Sequence, residues 1–156
     1  MSVEANKNLA RRWFDSRSYR NDLLKAEESE DPAAARQQFF QALIAEVFSP
    51  DSVMHFPDSD GGSDRILQYH LAMMDAFPDQ LFVIEDMIAE GDKVAVRGRM
   101  SGTNTGAFRG MPPTGKSVTM GFISLCRVGD SGKIAESWGY NDTIGFMQQL
   151  GLSHKP

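Results

Sequence analysis

Hydrophobic residues recur along this chain with two different periods, and the switch between them divides it. Leu9, Ala10, Trp13 and Phe14 follow helical spacing with Arg11 and Arg12 on the other side, so the first segment reads as an amphipathic helix. Asp31 followed by Pro32 signals a second helix, with a capping carboxylate and then proline at the first helical position. Its apolar stripe is Phe40, Leu43, Ile44 and Val47, and it ends near Ser49-Pro50. A short strand is expected over residues 53–56. Ser63 caps a third helix that stops before Pro78, and its Ile66, Tyr69, Leu71, Met73, Met74 and Phe77 are too widely spread for one narrow face, which predicts extensive cover. From Gln80 onward the period is two. Residues 81–90, 93–103, 117–128 and 133–141 read as four long strands, joined by short glycine-bearing turns and by one longer proline-rich connection over 106–116. A last helix over 143–150 ends at Gly151, a residue suited to a left-handed cap. Helices first and an antiparallel sheet afterwards spell α+β.

No repeat, low-complexity tract or boundary interrupts this order, so a single domain over 1–156 is expected: helices over 4–48, strands and a helix over 52–141, and the C-terminal helix. At 156 residues the chain can bury a core without staples. With 21 acidic against 16 basic residues and a net charge of −5, it suits neither nucleic acid nor an anionic membrane. Cys126 is the only cysteine, which excludes an internal disulfide. The N-terminus is polar and charged, and no apolar run approaches the ~20 residues that span a bilayer, so a cytoplasmic protein is expected.

The most informative words lie between Gly102 and Asp142. Gly110 to Ser117 reads Gly-Met-Pro-Pro-Thr-Gly-Lys-Ser, a formal match to the phosphate-binding P-loop. Pro112 and Pro113 remove two donors such a loop needs, and Val118 to Ile123 reads as a strand where a helix should follow. No nucleotide site is expected there. The segment Gly-Thr-Asn-Thr-Gly-Ala-Phe-Arg-Gly-Met-Pro-Pro-Thr-Gly-Lys, followed by a strand and then Gly-Lys-Ile-Ala-Glu-Ser-Trp-Gly-Tyr-Asn-Asp, instead resembles the SnoaL-like polyketide cyclases. The resemblance runs from Asn6 to Gly151, interrupted by roughly a dozen extra residues around 18–37, judged against ordinary connection lengths. That polar excess is expected to form either longer helices or a flap that shapes access to a pocket.

The resemblance implies the cone-shaped fold of nuclear transport factor 2 and ketosteroid isomerase, a curved sheet around helices with an apolar central cavity. It implies cofactor-independent, metal-free intramolecular aldol-type cyclisation of a hydrophobic polyketide-like ester, and a homodimer. Isomerisation or dehydration in the same cavity, and a non-catalytic binding module for an apolar metabolite, are the alternatives, since a fold does not select one chemistry. In the family a Trp followed four residues later by Asp carries the catalytic carboxylate, and that spacing falls on Trp138 and Asp142. Ile134, Glu136, Trp138, Tyr140 and Asp142 share parity, so if Trp138 faces the cavity Asp142 lies near the same wall, where desolvation would suit it to proton transfer. The local alternative is a helix N-cap before Thr143.

His55 matches a family histidine and is either a catalytic assistant to Asp142 or a packed residue. Asn104 and Ser137 stand where the family commonly has histidine. They retain hydrogen bonding but not titration near neutrality, and Asn104 reads equally as a turn residue. With Trp138, Tyr140, Phe56 and Met74 they are the expected substrate contacts. His70 is read as packing or surface, and His154 as part of an unstructured tail. Asp86, on the parity of Phe82, Ile84 and Ile88, is read as a satisfied structural carboxylate or a strand edge. Arg97 and Arg99 share a face and either meet solvent or pair across the sheet. No spacing among the histidines suggests zinc.

Overall fold

The computed structural model describes residues 2–56 and 60–152. His154 lies outside the described residues. The first helix, α1 (Val3–Phe14), is capped by Ser2, whose side chain accepts from the Ala5 amide. A 3₁₀ turn (Ser16–Ser18) and α2 (Arg20–Glu27) lead to α3 (Pro32–Val47), started by the Asp31 carboxylate on the Ala34 amide. Then come β1 (Phe48–His55), β2 (Asp60–Gly61), α4 (Ser63–Ala76), β3 (Leu81–Glu90), β4 (Lys93–Thr103), β5 (Ser117–Val128), β6 (Ile134–Asn141) and α5 (Thr143–Leu150). Gly151 closes α5 in the left-handed region at φ 82°.

The strands form one six-stranded sheet in the order β2-β1-β6-β5-β4-β3, open at both edges. Among the described residues only β1 and β6 run parallel. Helices α1 and α3 pack with α4 and the sheet, Trp13 meeting Phe48 edge-on at 4.8 Å. β1 begins at Phe48, earlier than residue 53, and its pairing with β6 slips between Phe48 and Val53. Pro50, which has no amide proton to donate, sits in that slip.

Two one-residue bulges decide which side chains face inward. In β3, Ile84 faces Gly98 and Asp86 faces Arg97, leaving Glu85 as the extra residue. Asp86 is therefore exposed while Met87 turns to the core, and Glu85 receives Arg97 at 2.6 Å and Arg99 at 3.3 Å on the outer face. In β6, Val128 pairs with Ile134 and Arg127 with Glu136, leaving Ala135 extra. The strict alternation expected from Ile134 to Asp142 is thus broken after its first residue. Ile134 and Ser137 point inward, and Glu136, Trp138 and Tyr140 point outward.

The segment over 18–37 is not a flap. Tyr19 and Leu23 are buried with Phe39 and Phe40 and so extend the core, while the acidic turn after α2 is exposed. The connection over 104–116 is held by Asn104, whose Nδ2 donates to the Ala76 and Gly106 carbonyls and whose Oδ1 accepts from the Thr114 amide and hydroxyl. This is a fully satisfied buried amide, and its loss would leave several partners unmet. The P-loop lookalike turns back at a Phe108–Met111 bridge and runs into β5, with no helix behind it.

The bulge at Glu85 requires glycine opposite it. A Cβ on Gly98 would lie 2.5 Å from Phe122 Cζ and 2.6 Å from the Val83 carbonyl oxygen. Gly98→Ala is expected to cost about 2–3 kcal/mol through overpacking. Chemical denaturation checks this as a lowered midpoint at unchanged slope; an unmoved midpoint would show that β3 and β4 pair without the bulge.

Candidate functional site

Between the helices and the inner face of the sheet lies a cavity of about 80 Å³. Its walls are apolar: Trp13 and Phe14 from α1, Ile66 from α4, and Phe82, Met120 and Phe122 from the sheet. A dry void this size is smaller than the ~150 Å³ that admits benzene, so a larger ligand must also occupy neighbouring space. That space is a cleft of about 360 Å³ between α4, the 107–109 turn and α5. Tyr69, Met120 and Asn141 line both.

The polar groups of the cavity are few. His70 from α4 is enclosed by rings: stacked on Phe40 at 5.6 Å, edge-on to Trp13 at 4.8 Å and to Tyr69 at 5.4 Å, with Phe82 at 6.0 Å. None of these accepts or donates a hydrogen bond to it, and among the described residues His70 has none. Burial pushes its imidazole down from 6.5 to about 4, so it is neutral at physiological pH. Ser137 and Ser124 are buried on the facing strands. Ser137 Oγ donates to the Met54 thioether at 2.6 Å, and Ser124 Oγ lies 3.9 Å from Cys126 Sγ, both weak partners that leave hydroxyl capacity for a ligand. Burial pushes the Tyr69 phenol upward and the Cys126 thiol up to about 12, which keeps both protonated. Sequence reasoning missed His70 as a cavity group. The available signal was its place among Ile66, Tyr69 and Met73 in a helix expected to be covered on most sides.

The residues expected from the sequence divide in two. Phe56 and Ser137 line the cavity, and His55 stands at its rim. Trp138, Tyr140 and Asp142 do not enter it, because Ala135 shifts the parity of β6; Asn141 faces inward in place of Asp142. Asp142 is exposed and caps α5, its Oδ1 accepting from the Gly145 amide at 2.9 Å. Met74 is buried in the core and does not line the cavity, and its neighbour Met73 lines the cleft. Asn104 lies under the connection it holds, outside both spaces.

His55 belongs to an outer-face network. Its Nε2 lies 2.9 Å from Glu136, its Nδ1 lies 2.8 Å from Asp60, and Arg127 Nε donates to Glu136 at 3.1 Å. The ring stacks on Trp138 at 5.1 Å. Hydrogen bonding to Glu136 first, and to Asp60, raises the His55 pKa, and the same bond with Arg127 lowers that of Glu136. No group of three or more metal-ligating side chains occurs among the described residues. No helix among them is long and apolar enough to cross a membrane.

Neutral burial of His70 couples to folding. Unfolded, the imidazole binds a proton near 6.5; folded, it does so only near 4. Between those values the unfolded state holds more protons, so this residue makes stability fall as pH falls through that window. The stability difference between the wild type and His70→Phe is expected to shift by up to about 3 kcal/mol across it. Denaturation at a series of pH values checks this, and a constant difference would place His70 in solvent.

The match to known proteins agrees with this architecture. The family model of the SnoaL-like polyketide cyclases matches residues 32–150. Among solved structures, AclR, a candidate hydroxylase from Streptomyces galilaeus, superposes with a TM-score of 0.73 at 25% identity, covering 99% of this chain and 89% of its own. A candidate SnoaL-like polyketide cyclase from Jannaschia sp. CCS1 gives 0.72 at 22%, covering 99% and 95%. IdmH, a candidate polyketide cyclase from Streptomyces antibioticus, gives 0.65 at 27%, covering 84% and 97%. Among curated proteins none matches significantly. The open α+β sheet, its helices and the family match over most of the length make this chain a member of the SnoaL-like polyketide cyclase family, with the fold shared by nuclear transport factor 2-like proteins.

Proposed function

We propose that the cavity performs an intramolecular aldol-type cyclisation of an apolar, polyketide-like ester by proton transfer alone. One observation carries the reading: a neutral imidazole without a protein hydrogen-bond partner faces the cavity across from two weakly engaged hydroxyls. In the reaction, a C–H proton beside a carbonyl passes to the lone pair of His70, and the resulting enolate carbon attacks a second carbonyl carbon. The new C–C bond forms as the carbonyl π pair moves to oxygen, and that oxygen takes the proton back from the imidazolium. Nothing is gained or lost overall, so the chemistry calls for no cofactor. Ser124 and Asn141, and Ser137 once its hydrogen leaves the Met54 thioether, would donate to the developing oxyanion, and the apolar walls would strengthen each such bond by excluding water.

The resemblance puts the proton carrier on Asp142 and its assistant on His55, whereas the geometry favours His70. Substitutions separate the two. On a panel of aromatic polyketide esters and simple ketones, His70→Gln is expected to lower turnover by a factor on the order of 10² to 10⁴, the usual contribution of a positioned acid or base. Asp142→Asn, which can still cap α5, is expected to keep turnover within a few-fold. The reverse outcome assigns the proton to Asp142 and overturns the His70 mechanism. A cavity that binds these compounds without turning any over is a binding module.

The same reading carries a homodimer through the outer sheet face, where Ile123 and Tyr140 are exposed. Light scattering at tens of micromolar protein should return twice the chain mass; a monomer mass contradicts it.

A further inference from the structure

We infer that the cleft between α4, the 107–109 turn and α5 is an anion subsite, in which Arg109 holds the carboxylate end of an elongated ligand whose apolar body extends across the cleft toward the cavity. This rests on the cavity reading above and adds to it the chemical class of the ligand.

The backbone at Arg109 is the first support. Among the described residues it is the one non-glycine at positive φ, 50°, and Gly110 follows at 78°. Phe108 and Met111 exchange backbone hydrogen bonds of 3.0 and 2.9 Å around them, so Arg109 and Gly110 are the two central residues of a tight hairpin of the type I′ kind. Asn or Asp is the favoured residue at the first of these positions; a long cation there is locally disfavoured, and residues held in such conformations cluster at functional sites.

The turn is also anchored through Phe108. Phe108 packs edge-on against Phe77 and against Phe146, each at 5.6 Å, and the Arg109 guanidinium lies 5.6 Å from the Phe108 ring centre. An exposed cation thereby lies at the rim of a cleft walled by Ala72, Met73, Phe146 and Met147.

Of the two charged residues in the cleft lining, Asp75 is paired and Arg109 has no ion pair among the described residues. Asp75 is the one carboxylate in the lining, and its Oδ1 lies 3.4 Å from Arg36 Nη2. Tyr69, which lines both spaces, is raised mainly by burial, with the Arg109 charge working against that rise. A planar guanidinium matches a carboxylate with two parallel hydrogen bonds. The sum of these features is an apolar cavity beside a cleft with a cation at its rim.

The test uses 6-(2-naphthyl)hexanoate and its methyl ester, titrated calorimetrically at pH 8 and low salt. The wild type is expected to bind the carboxylate about tenfold more tightly than the ester, with the preference shrinking as salt rises. Arg109→Asn is expected to abolish the preference and leave ester affinity unchanged. Its melting temperature should hold or rise, because Asn-Gly is a preferred pair for this turn. Ester binding without a carboxylate preference in the wild type, or a preference that survives in Arg109→Asn, overturns the subsite while leaving the cavity reading intact. Binding of neither probe overturns both.

Discussion

The extra residue in β6 governs what the cavity contains. Without Ala135 out of register, strict alternation from Ile134 would turn Glu136, Trp138 and Tyr140 inward and place Ser137 and Asn141 outside. A carboxylate and an indole would then replace a hydroxyl and an amide in a space of about 80 Å³, and the His55–Glu136–Arg127 network on the outer face would have no counterpart. Glu85 does the same for β3, bringing Met87 into the core and setting an acid under Arg97 and Arg99. Each bulge exchanges one unpaired residue for a change in which chemistry faces the ligand.

Given that parity, His70 is held by enclosure alone. Four rings surround it and supply no hydrogen bond, so desolvation has no opposing partner and the neutral form wins by a wide margin. His55 shows the opposite balance on the same protein: little burial and two carboxylates favour its cation. One fold thus holds one histidine neutral inside and favours the charged form of another at the rim; a neutral imidazole has the free lone pair that accepts a proton, and the imidazolium it becomes, disfavoured by the same burial, readily gives it back.

Much of the fold was legible because periodicity and punctuation agree. The bounds of β3, β4, β5 and α5, the Asp31-Pro32 start and the Gly151 cap all follow from alternation and end signals. The site was less legible, for a physical reason. A single-residue bulge leaves no mark in composition, and Ala135 and Glu85 look like ordinary strand residues, so every inference from parity beyond them inverted. The resemblance put Trp138 and Asp142 in the cavity, and unbroken parity agreed with it and carried Tyr140 along. The Asp142 cap was the local alternative, and the side chain makes that bond. Asn104 likewise follows its turn propensity, satisfied on every side. Met74 and Met73 differ by one helical step, which sequence spacing in a fully covered helix does not resolve. The segment over 18–37 looked polar because its exposed tip outweighs the two residues, Tyr19 and Leu23, that anchor it.

The central claim is that a neutral His70 faces the ligand cavity while the β6 residues of the opposite parity face away. Nuclear magnetic resonance of the histidine ring signals tests it most directly, as a pH titration of the free protein followed by addition of a naphthyl ester. The account predicts a His70 midpoint near 4, a His55 midpoint above 6.5, and ligand-induced shifts concentrated at His70. A His70 midpoint near 6.5 with no response to ligand would contradict it.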